Sequence, residues 1–287
     1  MDIKKLFEQA SSDWVCYSEY ELKEKDGEEY LTPAADSEIE VYNPLDKTED
    51  LVVAVLNMGW LLCRDSLTKE EQDVLLLNFA KNYGLLGFMT ALPLNGGFTE
   101  QGKVYFGRNS LFGAPEMTVK EYLSFFQPFG IKTGQPKGFT PPAALVTGRA
   151  LEFEFVFSRN YAEKTEWMVG FFKEFYIHFS ACKAYDGTDN PALKAAYADT
   201  VSRFMEYGLG FRMSMKDKPT MVWDFNSLMQ MIETVYAVLI SHVDMPLRMC
   251  KHCGKAFYAT HGRSEFCDTK CRNQYNVYKF RGRKNSE

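Results

Sequence analysis

The chain has 287 residues and a formal net charge of −5, with 46% hydrophobic and 25% charged residues. This is the composition of a globular protein; it excludes a disordered or fibrous chain, and the length allows one large domain or one medium domain with a small appendage. The charge is uneven, because residues 247–287 hold ten basic and three acidic side chains. That segment carries +7 and residues 1–246 carry −12, so we predict an acidic body with a basic end.

Membrane and secretory classes are not expected. The most apolar stretch, residues 51–63, contains Asn57 and Gly59 and is shorter than the ~20 residues that span a bilayer. The N-terminal Met-Asp-Ile-Lys-Lys is not followed by an apolar segment, so no secretory signal is predicted. Four of the seven cysteines are crowded near the C-terminus, unlike the cysteines of a secreted disulfide framework. We expect a cytoplasmic protein with one metal site and no membrane partner.

Hydrophobic periodicity and helix caps predict a body that is mainly helical with minor β-structure. Two capping-box spacings predict where two helices begin. In a capping box, a threonine side chain accepts the backbone N–H of the residue three positions later, and the carboxylate of that residue accepts the backbone N–H of the threonine. Dense Gly and Pro predict loops at 96–97 and 130–150. In chain order, the predicted elements are a hairpin turning at Asp26-Gly27, a buried helix at 51–62, a helix from Thr68 and Glu71 to Tyr83, a helix opened by Thr118 and Glu121, helices at about 160–185, 190–207 and 225–243, and a hairpin over 210–224.

The strongest motif is a pair of cysteine pairs. Cys250-Lys-His-Cys253 is followed after thirteen residues by Cys267-Asp-Thr-Lys-Cys271. Four thiolates in two close pairs suit a tetrahedral zinc ion, and a site filled by four protein ligands is structural because it leaves no open position for water. Gly254 permits the tight turn of a zinc knuckle, and Cys267 and Cys271 stand four apart, on one face of a helix. We predict one structural Zn²⁺ bound by Cys250, Cys253, Cys267 and Cys271.

Other interpretations of these cysteines stay open at this stage. Two disulfides would need an oxidising compartment, a redox Cys-x-x-Cys would need a thioredoxin-like context, and an iron–sulfur cluster can also use four cysteines. His252 and His261 are nearby and could compete as ligands, although four thiolates already complete a zinc site.

The same segment resembles a known zinc finger. Cys250-x-x-Cys253-Gly254-x-x-Phe257, then Phe266-Cys267 and Cys271-Arg272-Asn273-Gln274 before a basic end, is similar to the CGNR-type finger. Arg272 and Gln274 stand where that family has Gly and Arg. The family's finger closes bacterial proteins with a helical N-terminal ABATE domain, described as stress-induced transcription regulators. The resemblance, which covers about residues 210–284, implies a DNA-binding transcription regulator with an ABATE-like domain over 1–246 and a treble-clef-like finger over 247–287.

The basic end has the composition of a nucleic-acid element. A helix through this segment would align Arg272, Asn276 and Lys279 at steps of three and four residues. Arginine and lysine neutralise phosphates, asparagine and glutamine can contact base edges, and tyrosine can stack on bases. Val277 and Phe280 would face the finger or the body. The predicted nucleic-acid contacts are Arg272, Asn273, Gln274, Tyr275, Lys279, Arg281, Arg283 and Lys284.

Two alternatives compete with nucleic-acid binding. The basic helix could dock on a partner protein, which would make the chain an adaptor, or it could simply cap the finger as a solvated tail. Because the body carries −12, we also hypothesise that it holds the basic helix until a signal, such as a small molecule or a protein, releases it. The target, DNA or RNA, is expected to be DNA.

No enzymatic motif is recognisable. The spacing of His178 and Cys182 could place a base beside a nucleophile, and Glu152 and Glu154 could form a carboxylate pair. Core packing explains the first pair and an exposed strand explains the second. No serine elbow, zincin or nucleotide motif is present, so we predict that the protein is not an enzyme.

Overall fold

Helices and short strands both build this molecule, so its class is mixed α+β, as predicted. The computed structural model describes residues 7, 10–11, 13–64, 66–89, 102–106, 109–114, 116–132, 158–204, 209–215, 217–242, 247–259 and 261–284. Within these residues the helices are α1 (Thr48–Leu62), α2 (Lys69–Tyr83), α3 (Asn109–Phe112), α4 (Val119–Ser124), α5 (Thr165–Asp186), α6 (Pro191–Ser202), α7 (Leu228–Ser241) and α8 (Thr269–Lys284), with a 3-10 helix at Pro44–Lys47.

The strands are short and form small sheets. They are β1 (Ala10–Ser11), β2 (Trp14–Tyr17), β3 (Tyr20–Lys25), β4 (Glu28–Pro33), β5 (Ile39–Tyr42), β6 (Lys103–Tyr105), β7 (Glu116–Thr118), β8 (Glu163–Lys164), β9 (Gly210–Met215), β10 (Pro219–Asp224), β11 (Leu247–Met249) and β12 (Ala256–Tyr258). Among the described strands, three-stranded sheets run in the orders β1-β10-β9 and β3-β4-β8, and the pairs are β2-β5, β6-β7 and β11-β12.

Both predicted hairpins are confirmed. Strands β3 and β4 pair antiparallel from Lys25 and Glu28 outward. Their turn has positive φ at Asp26 (55°) and Gly27 (80°), which matches the right-handed twist of the flanking strands. Strands β9 and β10 pair antiparallel from Met215 and Pro219 outward.

The predicted helices are present with small shifts at their ends. Both capping boxes form, with Thr68 and Glu71 opening α2 and Thr118 opening α4. Asn190 caps α6 and accepts from two backbone N–H groups, but that helix ends at Ser202 rather than at 207. The predicted loop at 96–97 and residues 133–150 of the second loop lie outside the described residues, as do Glu152 and Glu154.

Two of the strands near the N-terminus were not predicted. Beyond the predicted hairpin, β2 pairs antiparallel with β5, and every residue of β2 is buried. A strand buried on both faces has no alternation of apolar and polar residues, so period-two reasoning does not detect it. Trp14 in this strand donates its indole N–H to the Leu85 carbonyl at 3.0 Å.

The chain divides into two compact units, each built from separate segments. Met1–Thr48, Leu67–Phe171 and Met205–Thr234 form the first unit, and Glu49–Ser66, Phe172–Phe204 and Val235–Glu287 form the second. The boundary predicted between 246 and 247 falls inside the second unit, so the cysteine-rich segment shares a unit with most of α1, the C-terminal part of α5, and α6.

In the second unit, α1 packs closely against α5 at a glycine. A Cβ built on Gly59 would lie 2.0 Å from the Phe172 carbonyl oxygen and 2.7 Å from the Tyr176 Cβ. Such distances are far below van der Waals contact, so only glycine permits this approach of the two helices. Residues 51–62 include no exposed side chain, which confirms that α1 is a buried helix.

Candidate metal centre

The first cysteine pair lies in a tight turn between β11 and β12. These strands pair antiparallel, with Met249 opposite Ala256, and bring the ends of the turn together. The N–H of Cys250 donates to the Lys255 carbonyl at 2.8 Å, and the N–H of Gly254 donates to the Cys250 carbonyl at 3.0 Å. Gly254 has φ of 78°, a conformation that glycine adopts at little cost. The predicted turn is therefore present, and residues 250–255 are called the knuckle below.

The second pair lies at the start of α8. Cys267 precedes the helix and Cys271 lies in its first turn. Asp268 caps this end, because its Oδ1 accepts the backbone N–H of Cys271 at 2.6 Å, the usual role of aspartate before a helix. The cap holds the two sulfur atoms 3.5 Å apart.

The four sulfur atoms converge as a metal site requires. All four Sγ atoms lie within 4.8 Å of one another, and those of Cys253 and Cys267 are 3.8 Å apart. All four cysteines are free thiols. A tetrahedron with Zn–S bonds near 2.3 Å has S–S edges of about 3.8 Å. These residues could therefore hold one metal ion, and their donor set fits zinc.

The electrostatics of the cluster also favour a cation. Burial raises the pKa of the Cys250 thiol, but backbone N–H donors, first those of Cys253 and Cys267, outweigh burial and lower it to about 7. Burial raises the pKa of Cys271 to about 11, and burial and its sulfur neighbours raise that of Cys267. Four thiolates this close together repel one another, so they can all ionise only around a positive ion.

Neither nearby histidine joins the cluster of potential ligands found among the described residues. His252 instead stacks on Tyr278, with ring centroids 5.8 Å apart and an interplanar angle of 17°. Its Nε2 lies 3.0 Å from the Gln274 Oε1, so it donates a hydrogen bond to that oxygen. His252 thus connects the knuckle to α8 through Tyr278 and Gln274.

The knuckle is attached to the helices of its own unit. Asn57 of α1 bonds both backbone groups of Ala256: its Nδ2 donates to the carbonyl at 3.1 Å and its Oδ1 accepts the N–H at 2.9 Å. The Tyr176 hydroxyl of α5 donates to the Gly254 carbonyl at 3.1 Å. These contacts were not predicted, although a polar Asn57 within an apolar helix was a signal of them.

A tryptophan of α1 completes this attachment. The Trp60 ring forms cation–π contacts with two cations: the Lys255 ammonium lies 4.8 Å and the Arg64 guanidinium 4.5 Å from its centroid. A Cβ built on Gly254 would come within 3.1 Å of the Trp60 Nε1, so Gly254 serves both the turn and this contact. Cation–π pairs of this kind contribute about 0.5–1 kcal/mol each at exposed sites.

The predicted nucleic-acid contacts differ in how their side chains are placed. Gln274 bonds to His252, and Tyr275 is half-buried, with its ring 5.2 Å from that of Phe266. The side chains of Arg283 and Lys284 lie outside the described part of the chain. The predicted contacts whose side chains are exposed on α8 are Arg272, Asn273, Gln274, Lys279 and Arg281, and of these Gln274 is the one bonded to His252.

The expectation that Val277 and Phe280 face the finger or the body is wrong. Val277 is 47% exposed and Phe280 is 63% exposed, and Tyr278 between them is 62% exposed. From Asn276 onward every described side chain of α8 is exposed.

The pair of His178 and Cys182 forms part of a buried network in the second unit. The Tyr236 hydroxyl lies 2.6 Å from His178 Nδ1, and His178 Nε2 lies 3.2 Å from the Val201 carbonyl. The carbonyl can only accept, so Nε2 carries the proton and Nδ1 accepts from Tyr236. Burial lowers the pKa of His178 and raises that of Cys182. A thiol with a raised pKa is a poor nucleophile, and the contacts are those of core packing.

None of the described helices combines the length and hydrophobicity of a transmembrane span. Comparison of the chain with protein-family models, with curated proteins and with solved structures gives no match.

Proposed function

We propose that this protein binds nucleic acid, DNA in the first place, through a zinc finger and its basic helix, and that it acts as a transcription regulator. The observation that carries the proposal is the cluster of four sulfur atoms at the base of α8, whose basic side chains are exposed. Arg272, Lys279 and Arg281 form no ion pair within the described part of the chain. Exposed cations on a helix held at one end are suited to contact phosphates.

Zinc is the metal that we propose. Cys250, Cys253, Cys267 and Cys271 would hold it, and as a structural ion it would supply folding energy without an open coordination position. A knuckle between two strands followed by two ligands at a helix start is a treble-clef-like arrangement. Together with the residues shared with CGNR-type fingers, it supports a distant relationship to that family, and no catalytic role is proposed.

Metal analysis tests the first part of the proposal. We expect one zinc per purified chain by inductively coupled plasma mass spectrometry, and we expect Cys267→Ser to lose it, because metal binding and folding are coupled in so small a module. Cys182→Ser, which removes a thiol outside the cluster, is the control and should keep its zinc. A Cys267→Ser protein that retains one zinc per chain would show that Cys267 is not a ligand.

Binding selection tests the second part. The zinc-loaded protein is incubated with random DNA and random RNA, and enriched sequences are measured by fluorescence anisotropy over a salt series. Binding through several phosphates gives a log–log slope of about −0.9 per phosphate on duplex DNA. No binding at ~50 mM salt would refute the nucleic-acid function.

A protein-interaction adaptor is the second candidate, and the exposed apolar side chains of α8 favour it. Val277, Tyr278 and Phe280 present a surface that a partner protein could bury, and exposed apolar patches are typical of interfaces. The alanine variant of Phe280 separates the two functions. It should weaken capture of a partner protein while leaving a salt-dependent affinity for DNA nearly unchanged.

The signal that controls the molecule is a further part of the proposal. A small molecule or a protein that binds residues 1–246, where acidic residues outnumber basic ones, would supply this signal. The hypothesis that they hold the basic helix receives no support from the described ion pairs, none of which joins α8 to that segment.

A further inference from the structure

A cleft of about 510 Å³ opens on the cysteine-rich segment, between the loop that precedes α8 and the first turn of that helix. None of the four cysteines lines it, so it is distinct from the metal centre. Its charged and titratable lining residues are His261, Arg263, Glu265, Asp268 and Arg272.

The acidic groups of this cleft already have partners. The Glu265 carboxylate forms an ion pair with the Lys251 ammonium. Asp268 caps α8 through the backbone N–H of Cys271. The guanidinium groups of Arg263 and Arg272 are exposed and form no ion pair among the described residues. The cleft therefore contains two arginines without an ion pair among the described residues, beside two carboxylates that already have partners.

Two arginines that line one cleft suit a phosphate group. Arginine presents a planar fork of N–H donors that can bond two phosphate oxygens at once. Arg272 is also the first member of the row that continues along α8 through Asn276 to Lys279, at steps of four and three residues. A phosphate held in the cleft would thus lie at the end of a line of exposed polar and basic side chains.

We propose that this cleft binds one phosphate of the nucleic-acid backbone, with Arg263 and Arg272 as its ligands. The inference rests on the proposed nucleic-acid function and sharpens it. Arg263, which lies in the loop and outside the basic helix, becomes a contact residue, and the backbone runs from the cleft along the row of Arg272 and Lys279. Gln274, bonded to His252, is outside this path.

The test uses the full-length, zinc-loaded protein and a fluorescent ~20-bp duplex, with affinity measured between ~50 and ~250 mM NaCl. One phosphate contributes about 0.9 to the log–log slope, so we expect Arg263→Ala and Arg272→Ala each to reduce its magnitude by up to about 0.9, which corresponds to up to about eightfold weaker binding near 0.1 M salt. Arg263→Lys keeps the charge and should keep most of the slope. Arg203→Ala is the matched control, because Arg203 is an exposed arginine of the α6 C-terminus paired with Asp199.

Zinc content is measured for every variant, so that a loss of the fold is recognised. If the alanine variant of Arg263 loses zinc, Arg263→Gln, which keeps a polar side chain, gives the same readout. Wild-type binding combined with an unchanged slope in the Arg263 variant would overturn the cleft and leave the nucleic-acid function standing. Failure of the wild type to bind at ~50 mM salt would overturn both.

Discussion

The contact between Asn57 and Ala256 allows a quantitative prediction about how the cysteine-rich segment is held. Asn57→Ala removes a donor and an acceptor that bond the carbonyl and N–H of one residue at 3.1 and 2.9 Å. Ala256 is 2% exposed, so water does not easily replace the lost partner. Each hydrogen bond contributes about 0.5–1.5 kcal/mol, and a buried group left unpaired costs about 1–3 kcal/mol. We expect a loss of about 2 kcal/mol in the free energy of unfolding.

Urea unfolding of the zinc-loaded protein, followed by circular dichroism, measures this loss. Asn78→Ala is the control, since Asn78 is an exposed asparagine within α2 and its replacement isolates the change in helix propensity. If release of the knuckle from α1 accompanies loss of the metal, zinc affinity should fall by up to about thirtyfold, the equivalent of 2 kcal/mol. Equal stabilities of the two variants, within about 0.5 kcal/mol, would refute the argument that this contact holds the knuckle.

Two further predictions concern the second unit. Gly59→Ala should lower the free energy of unfolding by about 1–3 kcal/mol, because its Cβ would lie 2.0 Å from the Phe172 carbonyl oxygen. Gly262→Ala is the control, since nothing lies within 4 Å of its added Cβ. Equal stability of the Gly59 and Gly262 variants would contradict the packing of α1 on α5. Burial lowers the pKa of His178 below its ordinary 6.5, so the unfolded chain binds the proton more readily than the folded protein does. The contribution of neutral His178 to stability is therefore complete above pH 6.5 and should decline as the pH falls below 6.5. In His178→Gln, unfolding measured from pH 7.5 to 5 should depend less on pH, and an unchanged profile would show that another group titrates.

The metal ligands were predictable because their arrangement is local. All four cysteines lie within 22 consecutive residues, and each pair is positioned by one turn or one helix start. Spacing rules for such elements operate without knowledge of the rest of the fold, which explains why a sulfur cluster was predicted from the sequence. The helix caps at Thr68 and Thr118 were predictable for the same reason.

The pairing of β2 with β5 and the exposure of the basic helix were not predictable in this way. Strand β2 is buried along its whole length, so its residues carry no alternating pattern. The exposure of Phe280 depends on what packs against α8 in the folded protein, and the position of an apolar residue in a helical pattern does not reveal this.

The sequence by itself determined that four cysteines gather near a basic helix, that the charge divides between two parts of the chain, and that helices alternate with hairpins. These properties arise from spacing, caps and composition over short distances. Only the tertiary structure decided which helices hold the knuckle, through Asn57 and Tyr176 from segments about 200 and 80 residues away. Only the tertiary structure placed Arg263 and Arg272 around one cleft. The physical reason is that long-range contacts depend on packing, which local patterns do not encode.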